Sequence, residues 1–256
     1  MKKLLSCILA GMLLACCTSC GGNTATVADV QAVKDAGKMV IGITEYAPMN
    51  YQEDGKWTGF DTEFAEAVCA KLGVTAEFIV IDWDNKILEL DSGAIDAVWN
   101  GMTITDEVRN GMEVSDAYAK NAQVIVLKDA ASYADVAAVS ELSFAVEAGS
   151  AGEAVAADSG FANVTPVVDQ ATALMEVASG SVDACIIDIT MANAMTGEGT
   201  SYPDLGYSLE LSTEEYGIGF RKGSDLAAEV NAIMVELTAD GTLPALAAKY
   251  NLTLAK

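Results

Sequence analysis

Apolar and polar positions along this chain follow two periods in turn. Val27, Val30 and Val33 recur at helical spacing and Gly37 stops that run, ahead of a buried strand at 39–43. Asp54-Gly55, between MNYQ and KWTGF, is a hairpin turn signal. Asp61 stands where a helix N-cap is expected. Phe64, Val68 and Leu72 stripe one face of the helix it would open, and Gly73 ends it. Strands are predicted at 76–81 and 96–99, the second ending at Asn100-Gly101, with a short helix at 86–90 between them. Residues 123–127 are strongly strand-like. The pattern then restarts with a strand at 144–146, helices from 153 and over 171–178, and a buried strand at 184–187. Residues 216–220 alternate as a strand. Ser224 then caps a long helix, which breaks at Gly241 and Pro244 before a last one. Two strand–helix series with a late return predict an α/β fold of two lobes. A ligand then belongs at the carboxyl ends of the strands, in the crevice between lobes.

The N-terminus follows a different logic. Lys2 and Lys3 precede an uncharged apolar run at 4–15. It is too short for a spanning helix, which needs roughly 20 apolar residues, and suits the core of a signal peptide. Leu13-Leu14-Ala15-Cys16 resembles a bacterial lipobox, and Cys20, followed by two glycines, is a second candidate for lipidation. The expected organisation is a lipoprotein signal peptide and lipobox at 1–20, then a tether with a short helix at 21–36. Lobe 1 would comprise 37–121 plus 216–256, and lobe 2 would be 122–215, with hinge strands crossing near 122–125 and 212–215.

Composition narrows the function. The chain has 256 residues and a formal charge of −23, and loses two more positive charges with the leader. So acidic a protein is not expected to bind nucleic acid. It has no histidine, which excludes serine–histidine triads and most zinc sites, and no GxxxxGK[ST] phosphate loop. No metal or cofactor is expected. Beyond the leader the cysteines are Cys69 and Cys185, each in an apolar periodic segment, and two buried free thiols are expected. No later segment has the apolar length of a membrane span.

The strings KWTGFDTEFAEAVCAKLG and DWDNKILELDSGAIDAVWNGMTITDE, followed in order by AGSAGEA, SVDACIIDITMA and EEYGIGFRKGS, resemble the extracellular solute-binding proteins of polar amino-acid ABC transporters. The resemblance implies a two-lobed, type II periplasmic-binding-protein-like fold with a two-strand hinge. It also implies capture of a free amino acid, delivery to a membrane permease, no catalysis and a monomer held at the membrane by its lipid. Two other classes share the fold: cyclohexadienyl dehydratase-like enzymes and amino-acid-sensing modules.

A free amino acid is a zwitterion, so its pocket needs donors for a carboxylate, an acceptor for an ammonium and walls that read the side chain. Gly101 allows close backbone approach and Thr103 offers a hydroxyl, beside Asn100 at the end of its strand. Asp188 ends a buried strand, where an acid is costly unless paired. It would hold the ammonium, or else merely cap the helix from Thr190. The resemblance adds Ser150 and Ala151 as a second-lobe loop closing on the carboxylate, and Tyr46 and Trp83 as flanking aromatics. Glu45 and Glu147 fall near side-chain-reading positions, and together would suit a cationic side chain. The resemblance also implies an arginine three residues after the second threonine of GMTIT. That position is Val108, with Arg109 one later, so Arg109 is expected to serve if its loop shifts.

Overall fold

The computed structural model describes residues 27–255, so the leader, Cys16, Cys20 and residues 21–26 lie outside the described residues. The chain forms α1 (Asp29–Ala36), β1 (Lys38–Ile43), a hairpin of β2 (Tyr51–Glu53) and β3 (Lys56–Thr58), α2 (Phe60–Leu72), β4 (Thr75–Val80), α3 (Lys86–Ser92), β5 (Ala97–Thr103), α4 (Asp106–Gly111) and β6 (Glu113–Val114). The long β7 (Ala119–Lys128) leads to β8 (Phe144–Glu147), α5 (Ala151–Asp158), β9 (Val164–Val167), α6 (Gln170–Ser179), β10 (Ala184–Asp188) and α7 (Ile189–Met195). The longer β11 (Leu205–Phe220) returns, and α8 (Leu226–Ala239) and α9 (Thr242–Lys249) complete the fold.

The main sheet runs β4-β1-β5-β11-β7-β10-β8-β9, with β6 beside β11. On one side β1 pairs in parallel with β4 and β5; on the other, β10, β8 and β9 are parallel to one another. The antiparallel pair β7–β11 joins the two sides. β11 meets β5 only from Tyr216 onward, and β7 meets β10 only from Gln123 onward. Between these points, residues 120–122 and 213–215 pair with each other and with no third strand. Sequence periodicity does not reveal the first eleven residues of β11. They are mostly polar, and their strand pairing comes from β7 alone, with register shifts near Leu209 and Ser212.

Both faces of the sheet are covered, and the strands alternate accordingly. In β7, Val124 and Val126 enter the main core, whereas Ile125 and Leu127 enter a second cluster on the opposite face with Phe144 and Ile186. In β5, Trp99 enters the main core, and Val98 and Met102 face a third cluster with Leu90 and Val108. Helix α1 belongs to this body rather than to a tether: Val33 is in the core and Asp29 forms an ion pair with Arg221 at 3.0 Å. Cys69 and Cys185 are free thiols, both buried.

Two local departures from the sequence reading have one cause. β5 does not end at Asn100-Gly101 but continues to Thr103, with Gly101 at φ +56°. A Cβ on Gly101 would lie 2.6 Å from Cε1 of Tyr46. The glycine is thus required by the Tyr46 ring and by the backbone. Its buried N–H needs an acceptor and donates to Asp61 Oδ2 at 2.6 Å, which also accepts the Tyr118 hydroxyl at 2.9 Å. Asp61 therefore does not cap α2. The helix starts at Phe60 after Gly59, and Asp61 points from its first turn into the core. Gly101→Ala would add left-handed strain and a steric clash, and is expected to lower unfolding free energy by about 2–4 kcal/mol. Urea denaturation measures this, and a loss below about 1 kcal/mol contradicts the packing described.

Candidate functional site

The carboxyl ends of β5, β8 and β10 converge on a cavity of about 230 Å³ between the two sides of the sheet. Trp83, Asn100, Gly101 and Thr103 line it from the first side. Glu147, Ser150, Ala151 and Asp188 line it from the second. All eight were expected at a ligand site from the sequence.

Asp188 is 4% exposed. Its Oδ1 accepts from Gln123 Nε2 at 2.9 Å and from Asn121 Nδ2, and its Oδ2 accepts from Gln170 Nε2. The side chain makes no capping bond to α7, so three neutral amides and no helix N–H hold it. Burial pushes its carboxyl up to about 7, with the charge of Glu214 adding to the effect and hydrogen bonds from Gln170, Tyr216 and Asn121 opposing it. Glu147 is 3% exposed, and its Oε1 has no hydrogen-bond partner among the described residues. Burial, followed by the charge of Asp188, raises it to about 8. Glu214 lies between the sides. It accepts from Asn121 and Gln123 at 3.2 Å each, from Ser212 Oγ at 2.7 Å and from Thr103 Oγ1.

The remaining lining groups divide into committed and available. The Asn100 side chain is committed to Thr44, at 2.7 Å, and Asn50, at 2.8 Å. Thr103 gives its hydroxyl proton to Glu214, leaving lone pairs rather than the expected donor. Ser150 accepts the backbone N–H of Glu153 at 3.2 Å, which leaves its own hydroxyl proton unassigned.

Three expected residues are not brought to the cavity. Arg109 is exposed and lines a separate groove with Lys120, Glu214 and Glu215. One residue on a helix rotates a side chain by about 100°, and it is Val108 that lines the cavity wall. Tyr46 is fully buried, with its hydroxyl bonded to Thr190 and Tyr216 and its ring against Gly101, and it does not line the cavity. Glu45 is half-buried outside the cavity, and its Oε1 accepts the backbone N–H of Gln52 at 3.4 Å. The acidic pair Glu45 and Glu147 is therefore not formed.

Sequence reasoning also missed lining residues. Lys86 is 4% exposed and extends along the cavity wall. Its signal was its place on the buried stripe of α3, four residues before Leu90. Gln123 heads the apolar run of β7 and Gln170 opens α6, each a buried amide whose partners only the fold supplies. Among the described residues, no group of three or more Cys, Asp or Glu could hold a metal ion.

Several known proteins share this architecture. A family model described as bacterial extracellular solute-binding proteins, family 3, matches residues 39–253. The L-cystine-binding protein TcyJ of Escherichia coli (strain K12) is 30% identical, over 85% of this chain and 84% of its own length. The L-arginine-binding protein of Pseudomonas aeruginosa is 30% identical, over 82% and 86%. A histidine-bound substrate-binding protein of an ABC uptake transporter from Streptococcus pneumoniae superposes with a TM-score of 0.79 at 29% identity, covering 86% of this chain and 94% of that one. An ancestral amino-acid-binding protein, a precursor of cyclohexadienyl dehydratase, superposes equally at 0.79 and 29% identity, over 87% and 99%. The fold is the two-lobed type II periplasmic-binding-protein fold, and the cavity is its interlobe cleft.

The buried acids make stability depend on pH in a definite direction. Asp61, raised to about 7 by burial, joins Asp188 at about 7 and Glu147 at about 8. Unfolded, all three titrate near 4. The native state therefore binds more protons than the unfolded state between about pH 4 and pH 8, and stability falls as pH rises through that window. The ligand-free protein should melt at least about 5 °C lower at pH 8.5 than at pH 5. Calorimetry checks this, and a melting temperature that rises over the same window contradicts it.

Proposed function

The chain belongs to the bacterial extracellular solute-binding proteins of family 3, and on that premise we propose that it captures a free polar amino acid and delivers it to the permease of an ABC transporter. One observation carries this reading. The interlobe cavity holds a buried ammonium, Lys86, and two buried acids, Asp188 and Glu147, with no ion pair between them among the described residues. Buried charges are costly unless paired, and a zwitterion supplies both missing counter-charges at once. Asp188 receives the α-ammonium, as three amides already orient both of its oxygens. Trp83 forms an apolar wall, and Ser150 with the first turn of α5 faces the ligand from the second lobe.

The ligand is best read as cationic. Glu45 no longer contributes, but Glu147 is a second cavity carboxyl with an oxygen left unpartnered, suited to a terminal ammonium or guanidinium. Arginine-bound structures of similar proteins support the same class. Entry of a second positive charge would displace the proton that Glu147 holds near neutral pH. Closure proceeds by rotation about 120–122 and 213–215, where β7 and β11 lack a third strand. The basic–apolar–cysteine leader supports lipid attachment at Cys16 or Cys20 on the outer side of the cell membrane. Loss of detergent-phase partitioning on joint replacement of the two by alanine tests this.

A dehydratase reading rests on the similarity to the cyclohexadienyl dehydratase precursor and on the proton that Glu147 retains, which a general acid requires. We read the protein as non-catalytic, because the relatives reported above are binding proteins.

Calorimetric titration with arginine, lysine, histidine, glutamine and cystine tests the binding reading. Arginine or lysine should bind with release of a proton at pH 7. Asp188→Asn should weaken binding of every amino acid by about 2–5 kcal/mol, and Glu147→Gln should weaken the cationic ones alone. Tight glutamine binding with none for arginine or lysine refutes the cationic assignment. Wild-type affinity in Asp188→Asn excludes the ammonium role.

A further inference from the structure

We propose that Lys86 takes the place of an arginine as the counter-ion of the ligand's α-carboxylate, and that its reach across the cleft ties carboxylate recognition to closure. This rests on the amino-acid reading above. The position at which an arginine would be expected is Val108, whose side chain is buried in the cavity wall, and Arg109 faces a different groove. Lys86 is the basic residue that lines the cavity. Its Nζ donates to the carbonyl of Trp83 at 3.3 Å on its own side and to that of Gly149 at 2.8 Å on the other, and stands 5.2 Å from the centroid of the Trp83 ring. An ammonium has three protons. Two go to these carbonyls, and the third is left for a group in the cavity.

No carboxylate among the described residues pairs with Lys86. Burial lowers its pKa, with the charges of Glu107, Glu147, Asp84 and Glu153 opposing at longer range. An anion arriving in the cavity satisfies the third proton and removes the disadvantage of the charged form. The two sides of the cleft are in close contact at this point. A Cβ on Gly149 would lie 2.6 Å from Cα of Asp84, so the Lys86–Gly149 bond depends on this close approach and would break on opening of the cleft. A carboxylate held by Lys86 and the Ser150 hydroxyl would bond to both lobes together. A lysine is a point donor rather than a bidentate fork, so the site fixes charge and leaves the carboxylate plane to Ser150 and the first turn of α5.

The test compares an amino acid with its α-amide, which keeps the ammonium and side chain and removes the anion. L-arginine and L-argininamide are titrated into wild type, Lys86→Met, Lys86→Arg and Arg109→Ala, with L-glutamine and its α-amide as a second pair. A charge-assisted hydrogen bond predicts that wild type prefers the acid by about 10–150-fold. The preference should fall to about 3-fold or less in Lys86→Met and stay at the wild-type value in Arg109→Ala. Lys86→Arg retains the charge and should keep most of the preference. A variant that only lost an interlobe latch would weaken acid and amide alike, with their ratio unchanged. An unchanged ratio in Lys86→Met overturns the assignment, as does a ratio lost in Arg109→Ala, or a wild type that binds acid and amide equally. Failure of every amino acid to bind wild type would instead remove the functional reading, and this inference with it.

Discussion

A carboxylate shut away from water must lose its charge or find a positive partner, and the interlobe cleft of this protein is organised around that constraint. Asp188 sits at the end of a buried strand with both oxygens bonded to neutral amides. Amides orient a carboxylate without neutralising it, so its proton affinity stays high until a cation arrives. Glu147, on the neighbouring strand of the same lobe, is in the same position with fewer partners. Both acids therefore keep their protons in the native state to a higher pH than in the unfolded chain.

The same groups connect the site to the strands that join the lobes. Asn121 and Gln123 lie on β7 at its crossing with β11, and each donates both to Asp188 and to Glu214. Glu214 in turn holds Ser212 and the hydroxyl of Thr103, which belongs to the first lobe. Any rotation about the crossing must carry this shared set of bonds with it. Asp188 is thus bonded directly to the strand pair that joins the two sides, with no relay through the cores. The main core runs through both sides of the sheet, with a further cluster on each side's opposite face.

What the sequence showed and what it hid divide along physical lines. Buried strands and amphipathic helices were legible because their periodicity reports burial directly. Eight cavity residues were expected too: Asn100, Gly101, Thr103 and Asp188 from their chemistry at strand ends, and Trp83, Glu147, Ser150 and Ala151 only through the family resemblance. The first part of β11 was hidden because polar residues carry no period when pairing comes from one neighbouring strand. Tyr46 was misread because an aromatic beside a cleft and an aromatic beneath a glycine look alike in sequence; only the Gly101 φ angle and its contact with the ring separate them. Glu45, two residues past the end of β1, accepts the backbone N–H of Gln52 outside the cavity, a placement no local pattern signals.

The one-residue offset of Arg109 has the widest consequence. A helix translates an offset of one position into a different facing, so an arginine retained in composition is lost from the cavity and a valine lines the wall in its place. The cavity is thereby left without the arginine that the resemblance implied for a carboxylate, in a chain that carries 37 acidic and 14 basic residues. Lys86 is the basic side chain that lines the cleft instead, reaching it from the buried stripe of α3. The requirement met is therefore one of charge and depth rather than of residue type or chain position. A cleft that accepts a zwitterion needs one buried cation within reach, and on the reading proposed above the long, flexible lysine side chain would supply it in a cleft whose wall carries Val108.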